Sequence, residues 1–290
     1  MKNFLKKYFV EIILSLIMFT GFCLILYPPV SDWWNSLHQT HVIASYVEKV
    51  DGVSEEERRI MREAAEAYNE RLAYQRTEFD LTKEERTEYN SLMDVTGTGV
   101  MGYIEIPVID VDLPVYHGDN EAILQIAAGH IPGSSLPTGG AGTHSLITGH
   151  RGLPSATLFT DLDQLKEGDL FMLHVLGETL TYEVDRIMIV LPEEVDTLAI
   201  ADGEDLCTLI TCTPYGINTH RILVRGHRVA NVREEEAAVR RDAVRYPVWI
   251  VIPAMMLLIV FPVWIIQRIG IRIKRSKKSK EEMLEDLKKE

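Results

Sequence analysis

The residues with the most chemical promise are a cysteine, an arginine and a histidine. Leu206-Cys-Thr-Leu-Ile-Thr-Cys212 reads as an apolar, β-branched run that stops at Thr213-Pro214. Tyr215-Gly-Ile-Asn-Thr219 is rich in turn formers, and His220-Arg221-Ile-Leu-Val-Arg-Gly-His-Arg228 returns as a second strand. In such a hairpin the last residue of one strand faces the first residues of the next, so Cys212 and Arg221 are neighbours across the loop mouth. A thiolate there is a nucleophile, and a guanidinium beside it stabilises either the thiolate or a developing oxyanion. A cysteine nucleophile also needs an imidazole. The chain has nine histidines. His130, His150 and His220 sit beside turn formers or strand ends, where functional groups concentrate, and spacing alone does not choose among them. His38 and His41 read as surface residues near an apolar run, and His174 reads as structural, inside a strand. At reference pKa values of roughly 8.5 and 6.5, a thiolate–imidazolium pair is only about 1% as populated as the neutral pair, so the arginine must shift that balance or act on the oxyanion.

Other motifs carry less. Gly97-Thr-Gly-Val-Met-Gly102 matches the glycine pattern of dinucleotide sites but lacks the preceding strand and following helix, and reads as a turn into the first strand. Leu136-Pro-Thr-Gly-Gly140 resembles a surface-protein sorting signal but has no apolar tail after it, and reads as a loop. Asp161 and Asp163, and the cluster Glu193, Glu194 and Asp196, lack ligand spacing and read as solvated loop charges. No metal or cofactor is called for.

Two textures must position the candidates. Residues 31–90 are helical in pattern. Ser54-Glu-Glu-Glu57 is a capping box, Ile60, Ala64, Ala67, Tyr68 and Leu72 form a seam at helical spacing, and Thr82-Lys-Glu-Glu85 caps a second short helix. From Gly97 the chain breaks into short apolar runs between Gly, Pro and Asp. Strands are expected at 102–106, 108–116, 145–149, 170–176, 178–190, 206–212 and 221–229, with short helices at 121–128 and 161–165. Many short strands with turn signals predict a mainly β fold, a closed barrel or a sandwich.

The ends are apolar. Residues 9–27 and 248–267 are each long enough to cross a bilayer as a helix. Lys2, Lys6 and Lys7 precede the first, and a basic tail from Arg268 follows the second, so both termini are expected in the cytoplasm and the middle outside. The expected organisation is a cytoplasmic N-terminus (1–8), a membrane helix (9–27), an extracellular helical extension (28–96), a catalytic β domain (97–232), a juxtamembrane segment (233–247), a second membrane helix (248–267) and a cytoplasmic tail (268–290). Of the three cysteines, Cys207 and Cys212 are external, five positions apart on one strand, so they point to opposite faces and cannot pair. The formal charge of −13 excludes a general nucleic-acid binder.

Thr148-Gly-His150-Arg-Gly152 and Leu209-Ile-Thr-Cys212-Thr-Pro-Tyr-Gly-Ile-Asn-Thr-His-Arg221 resemble the two signature segments of sortases, the membrane-anchored cysteine transpeptidases of Gram-positive bacteria. The likeness covers most of Gly97 to Val229. With the helical extension and second membrane helix, it is similar to the pilin-polymerising class C. The resemblance implies an eight-stranded sortase barrel, with Cys212 as nucleophile, His150 as general acid/base and Arg221 as oxyanion or substrate stabiliser. It implies an LPxTG-type sorting signal as substrate and a pilin lysine as acceptor. A wall-anchoring sortase using a peptidoglycan amine, or a non-catalytic assembly factor on the same barrel, are the alternatives. Many class C sortases carry a lid with an Asp-Pro-aromatic motif. Here the corresponding stretch is Phe79-Asp80-Leu81, in which Asp80 would reach the site and Phe79 or Leu81 would plug it, but the proline and the aromatic after it are missing.

Overall fold

A computed structural model describes residues 2–73, 79, 81–231, 268 and 270. The chain divides into two compact units, Met1–Val244 and Arg245–Glu290. Of the second, only Arg268 and Gly270 are described, both helical. The second apolar run (248–267), the segment 233–247 and Asp80 lie outside the described residues.

Helix α1 (Lys2–Gly52) runs unbroken through the first apolar run and through Pro28 and Pro29. Its apolar part is candidate membrane-spanning sequence, and Phe9, Leu14, Leu16, Ile17, Leu24 and Ile25 are all more than half exposed. Its other half lies on the barrel, where Tyr46 and Val50 bury themselves against Val100. Helices α2 (Glu55–Ala73) and α3 (Lys83–Ser91) follow. Both expected capping boxes are present. Ser54 Oγ accepts from the Glu57 N–H while Glu57 accepts from Ser54, and Thr82 and Glu85 do the same.

The β domain closes into a barrel in the order β1-β2-β3-β4-β7-β8-β6-β5, with β5 completing the ring against β1. The strands are β1 (Val100–Ile106), β2 (Val111–His117), β3 (Ala128–His130), β4 (Thr143–Thr148), β5 (Leu170–Val175), β6 (Glu178–Val190), β7 (Asp205–Thr213) and β8 (His220–Arg228). All the expected strands are found, though a 3-10 turn at Pro107–Ile109 delays the second to Val111. The sequence reading missed β3, a three-residue strand preceded by the short helix α4 (Glu121–Leu124), where a helix through 128 was expected. Closure removes the exposed edges that an open sheet of these strands would carry. Inward-facing residues such as Ile104, Phe171, Leu209 and Val224 fill the barrel.

His130, one of three loop-side histidines, is not a surface group. It is fully buried, with Nε2 2.8 Å from the Ser135 carbonyl and Nδ1 2.9 Å from the Tyr89 hydroxyl. A carbonyl only accepts, so Nε2 carries a proton, and burial keeps the ring neutral. Burial pushes its pKa down to about 3, and His144, bonded to the Ala199 carbonyl and the Thr208 hydroxyl, shifts the same way for the same reason. The unfolded chain therefore binds a proton at His130 below about pH 6.5 that the fold refuses until about pH 3, so stability is lost as pH falls through that window. Urea midpoints should drop on acidification, with His130 contributing up to about 1.4 kcal/mol per pH unit. His130→Gln should lose that component, and an unchanged pH slope in the variant would contradict the assignment.

Candidate functional site

Strand register assembles the site. In β7 the residues Cys207, Leu209 and Thr211 turn inward, so Thr208, Ile210 and Cys212 face outward. β8 pairs antiparallel with β7, matching Cys212 with Arg221 and Ile210 with Leu223. Directly opposed residues share a face, with Cβ atoms roughly 4.5–5.5 Å apart. On the other side β4 runs parallel to β7, and its last pairs are Leu146 with Thr208 and Thr148 with Ile210. Continued two residues past the end of the ladder, that register would put His150 level with Cys212, and both line the same cleft. On the far side of β8, Val190 of β6 pairs with Arg221. One row across the outer face therefore reads His150, Cys212, Arg221, Val190.

The segment after β4 is tied down at several points. Gly149 N–H donates to the Ile210 carbonyl at 3.1 Å, and Thr211 Oγ1 donates to the Gly149 carbonyl at 2.7 Å. Phe159 N–H donates to the His150 carbonyl. The Phe159 ring lies so close that a Cβ on residue 149 would meet it at 2.8 Å, which is why a glycine precedes the histidine. The Arg151 side chain, 9% exposed, forms an ion pair with Asp163, reaches Thr213 Oγ1 at 3.3 Å and lies over the Tyr215 ring. Asp163 stays exposed, as the sequence suggested, and is also the ion-pair partner of Arg151.

His150, Cys212 and Arg221 line one outer cleft of about 360 Å³. Its floor is formed by Leu198, Ile210 and Leu223 of an apolar cluster outside the barrel that also contains the buried Leu146, and one wall is the β6–β7 connection with Leu191, Pro192 and Val195. Cys212 is partly exposed, whereas Cys207 is fully buried and burial pushes its thiol well up. Both are free, as the five-residue spacing required. Arg221 Nη1 donates to the carbonyls of His220 (3.1 Å) and Asn218 (3.3 Å), which pins the guanidinium to the turn. His220 caps that turn, with Nδ1 2.9 Å from the Thr219 hydroxyl. Phe79 packs against the apolar floor and lines the cleft, while Leu81 packs against the barrel core and not over the thiol.

One residue at the site had no sequence signal. Glu121, at the start of α4, has both carboxylate oxygens 3.2 Å from His150 Nε2. Gln125 holds it from one turn on at 2.5 Å, and the Gln125 bond first, then His150, draws the Glu121 carboxyl below its ordinary range. Only the fold brings residue 121 next to residue 150. Among the described residues no group of three or more His, Cys, Asp or Glu side chains could hold a metal.

A thiol, an imidazole and a guanidinium line one strand-end cleft, and these are group types with which cysteine acyl transfer can be done. The model of the sortase domain matches residues 104–229. The crystal structure of sortase C1 from Streptococcus agalactiae superposes with a TM-score of 0.65 at 48% identity, over 66% of this chain and 100% of that one. Sortase C from Clostridium perfringens, solved with the C-terminal cell wall sorting motif, gives a TM-score of 0.59 at 42% identity, over 66% and 100%. Sortase A of Bacillus anthracis is 27% identical over 165 residues, 55% of this chain and 77% of that protein. The chain belongs to the sortase family, its structural neighbours include class C sortases, and its activity is that of a sortase transpeptidase.

The two thiols of the β domain should differ sharply in reactivity. In full-length protein carrying Cys23→Ser, a soluble maleimide should label Cys212 and leave Cys207 untouched, and Cys212→Ala should abolish labelling until the fold is denatured. Labelling of Cys207 in the native variant would contradict the inward register of β7.

Proposed function

We infer that this enzyme cleaves an LPxTG-type sorting signal and transfers the acyl group to a lysine of a pilin subunit, with Cys212, His150 and Arg221 as its catalytic groups. The observation that carries this reading is the row His150–Cys212–Arg221 opening on an apolar cleft. The Cys212 thiol passes its proton to His150 and the sulfur attacks the threonine carbonyl, whose π electrons move onto the oxygen. Arg221 faces the oxygen that gains charge, and a planar fork suits that oxyanion better than a point charge. His150 gives a proton to the departing glycine amine as the C–N bond breaks, which leaves a thioester on Cys212. A lysine amine then attacks the thioester, loses its proton to His150, and an isopeptide bond forms as the sulfur leaves. The Clostridium relative solved with a cell wall sorting motif supports this substrate class. The class C structural neighbours favour a pilin acceptor over a peptidoglycan amine.

The expected membrane organisation is carried forward within this reading. α1 anchors the chain, 248–267 forms a second span, both termini are cytoplasmic and the barrel is extracellular. Phe79 acts as the plug of a short lid, since it already packs on the cleft floor. Asp80, outside the described residues, is carried forward as the lid residue that would reach the site.

Peptide cleavage and lysine transfer by the full chain test the assignment. Cys212→Ala should abolish both, and His150→Ala should lower kcat/KM by about 100-fold or more. Arg221→Lys should lower kcat/KM by about 100-fold, because one oxyanion donor is typically worth that much. Near-normal turnover in Arg221→Lys would remove Arg221 from the mechanism. Phe79→Ala should accelerate alkylation of Cys212, and an unchanged rate would remove the lid.

A further inference from the structure

The contacts between α1 and the barrel are polarised along the helix. Its lower contacts are all with loops at the catalytic end. Asp32 accepts from Thr157 N–H at 2.6 Å and Thr157 Oγ1 at 2.9 Å, and Asn35 Nδ2 donates to the Ser155 carbonyl at 2.7 Å. Both partners lie in the loop that follows His150. Gln39 Nε2 then donates to the Ile126 carbonyl, just after the helix that carries Glu121. Its upper contacts are with the opposite end. The Tyr46 hydroxyl donates to the Met101 carbonyl at the start of β1 and accepts from Leu176 N–H in the β5–β6 turn. Val50 lies 3.5 Å from where a Cβ on Gly177 would sit. From Asp32 to Val50 the helix rises about 27 Å, which gives the barrel a fixed vertical scale.

The bilayer can be located on the same ruler. The apolar run ends at Tyr27, and Asp32 lies about 8 Å further along the axis. Tyr27 and Trp34 are both more than half exposed, as amphipathic rings at a membrane–water interface are. The same barrel end presents further exposed apolar side chains, Tyr215 and Ile217 in the β7–β8 loop and Ile126 beside α4.

We propose that the catalytic end of the barrel faces and touches the phospholipid surface in which α1 is anchored, with Tyr215 and Ile217 at headgroup level and the opposite end held about 27 Å further out. This rests on the reading of α1 as a membrane span and adds an orientation to it. The helix is rigid through the contact region, so the bilayer distance of the cleft is set by Asp32, Asn35 and Gln39 and not by a flexible tether. A substrate leaving the bilayer would meet the cleft before any other part of the barrel.

The test uses full-length protein in phosphatidylcholine vesicles. In a background of Cys23→Ser and Cys212→Ala, with Cys207 buried, a small fluorophore is attached at Ile217→Cys or at Asp202→Cys, which lies exposed ahead of β7 at the other end. The probe is a lipid carrying a nitroxide on its headgroup. Quenching at 217 should exceed quenching at 202 by about threefold or more, since a span of about 27 Å separates the ends. Equal quenching, or stronger quenching at 202, in protein that resists alkaline carbonate extraction would overturn the orientation and leave the anchor standing. Release of the protein by carbonate would overturn the anchor and the orientation together.

Discussion

The site depends on strand register at one place, the outer face where β4 and β7 end and β8 begins. Cys212 and Arg221 are nine positions apart in sequence, and the hairpin brings them opposite each other. His150 is far from both in sequence, and the parallel pairing of Thr148 with Ile210 brings it level. Side chains alternate along a strand, so a slip of one residue in β7 would turn Cys212 into the core and Thr211 or Thr213 outward. The register is well specified because the inward set (Cys207, Leu209, Ile222, Val224) belongs to the main core, whereas the outward set (Ile210, Leu223) belongs to a second apolar cluster. Neither set can be exchanged without burying threonine hydroxyls among apolar groups or exposing the core.

The same alternation sorts the two external thiols. Cys207 sits in the barrel interior, where burial keeps it protonated, and Cys212 sits at the cleft mouth. The supports are set behind the three groups that line the cleft. Gly149 allows Phe159 to pack against the backbone, Arg151 ties the histidine loop to the loop after Cys212 through Thr213 and Tyr215, and Glu121 faces the outer nitrogen of His150. Each holds a backbone or ring in place without entering the cleft beside the sulfur, which leaves room for a substrate carbonyl between sulfur and guanidinium.

Local features were legible in the sequence. The β7–β8 hairpin, with its strand alternation and turn-rich loop, gave the Cys212–Arg221 neighbourhood without a structure, and both capping boxes were readable because the reciprocal bonds need only residues three apart. Pairings between distant segments were not legible. β3 escaped notice because Ala128-Gly-His130 has neither β-branched residues nor alternation, and it exists only because β2 and β4 flank it. His130 stood beside turn formers in sequence but is enclosed by Tyr89 from α3, a contact that no spacing announces. The choice of His150 came from resemblance, and its physical basis, the parallel β4–β7 register, appears only in the folded chain.

The central claim is that Cys212 carries the acyl group between substrate and acceptor, and mass spectrometry of the trapped intermediate tests it most directly. Full-length protein incubated with an LPxTG peptide and no amine acceptor, then quenched in acid and digested, should yield the peptide containing Cys212 enlarged by the acyl portion ending at threonine. The adduct should disappear on addition of a lysine amine. An adduct on another residue, or substrate cleaved at full rate by Cys212→Ala, would contradict the account.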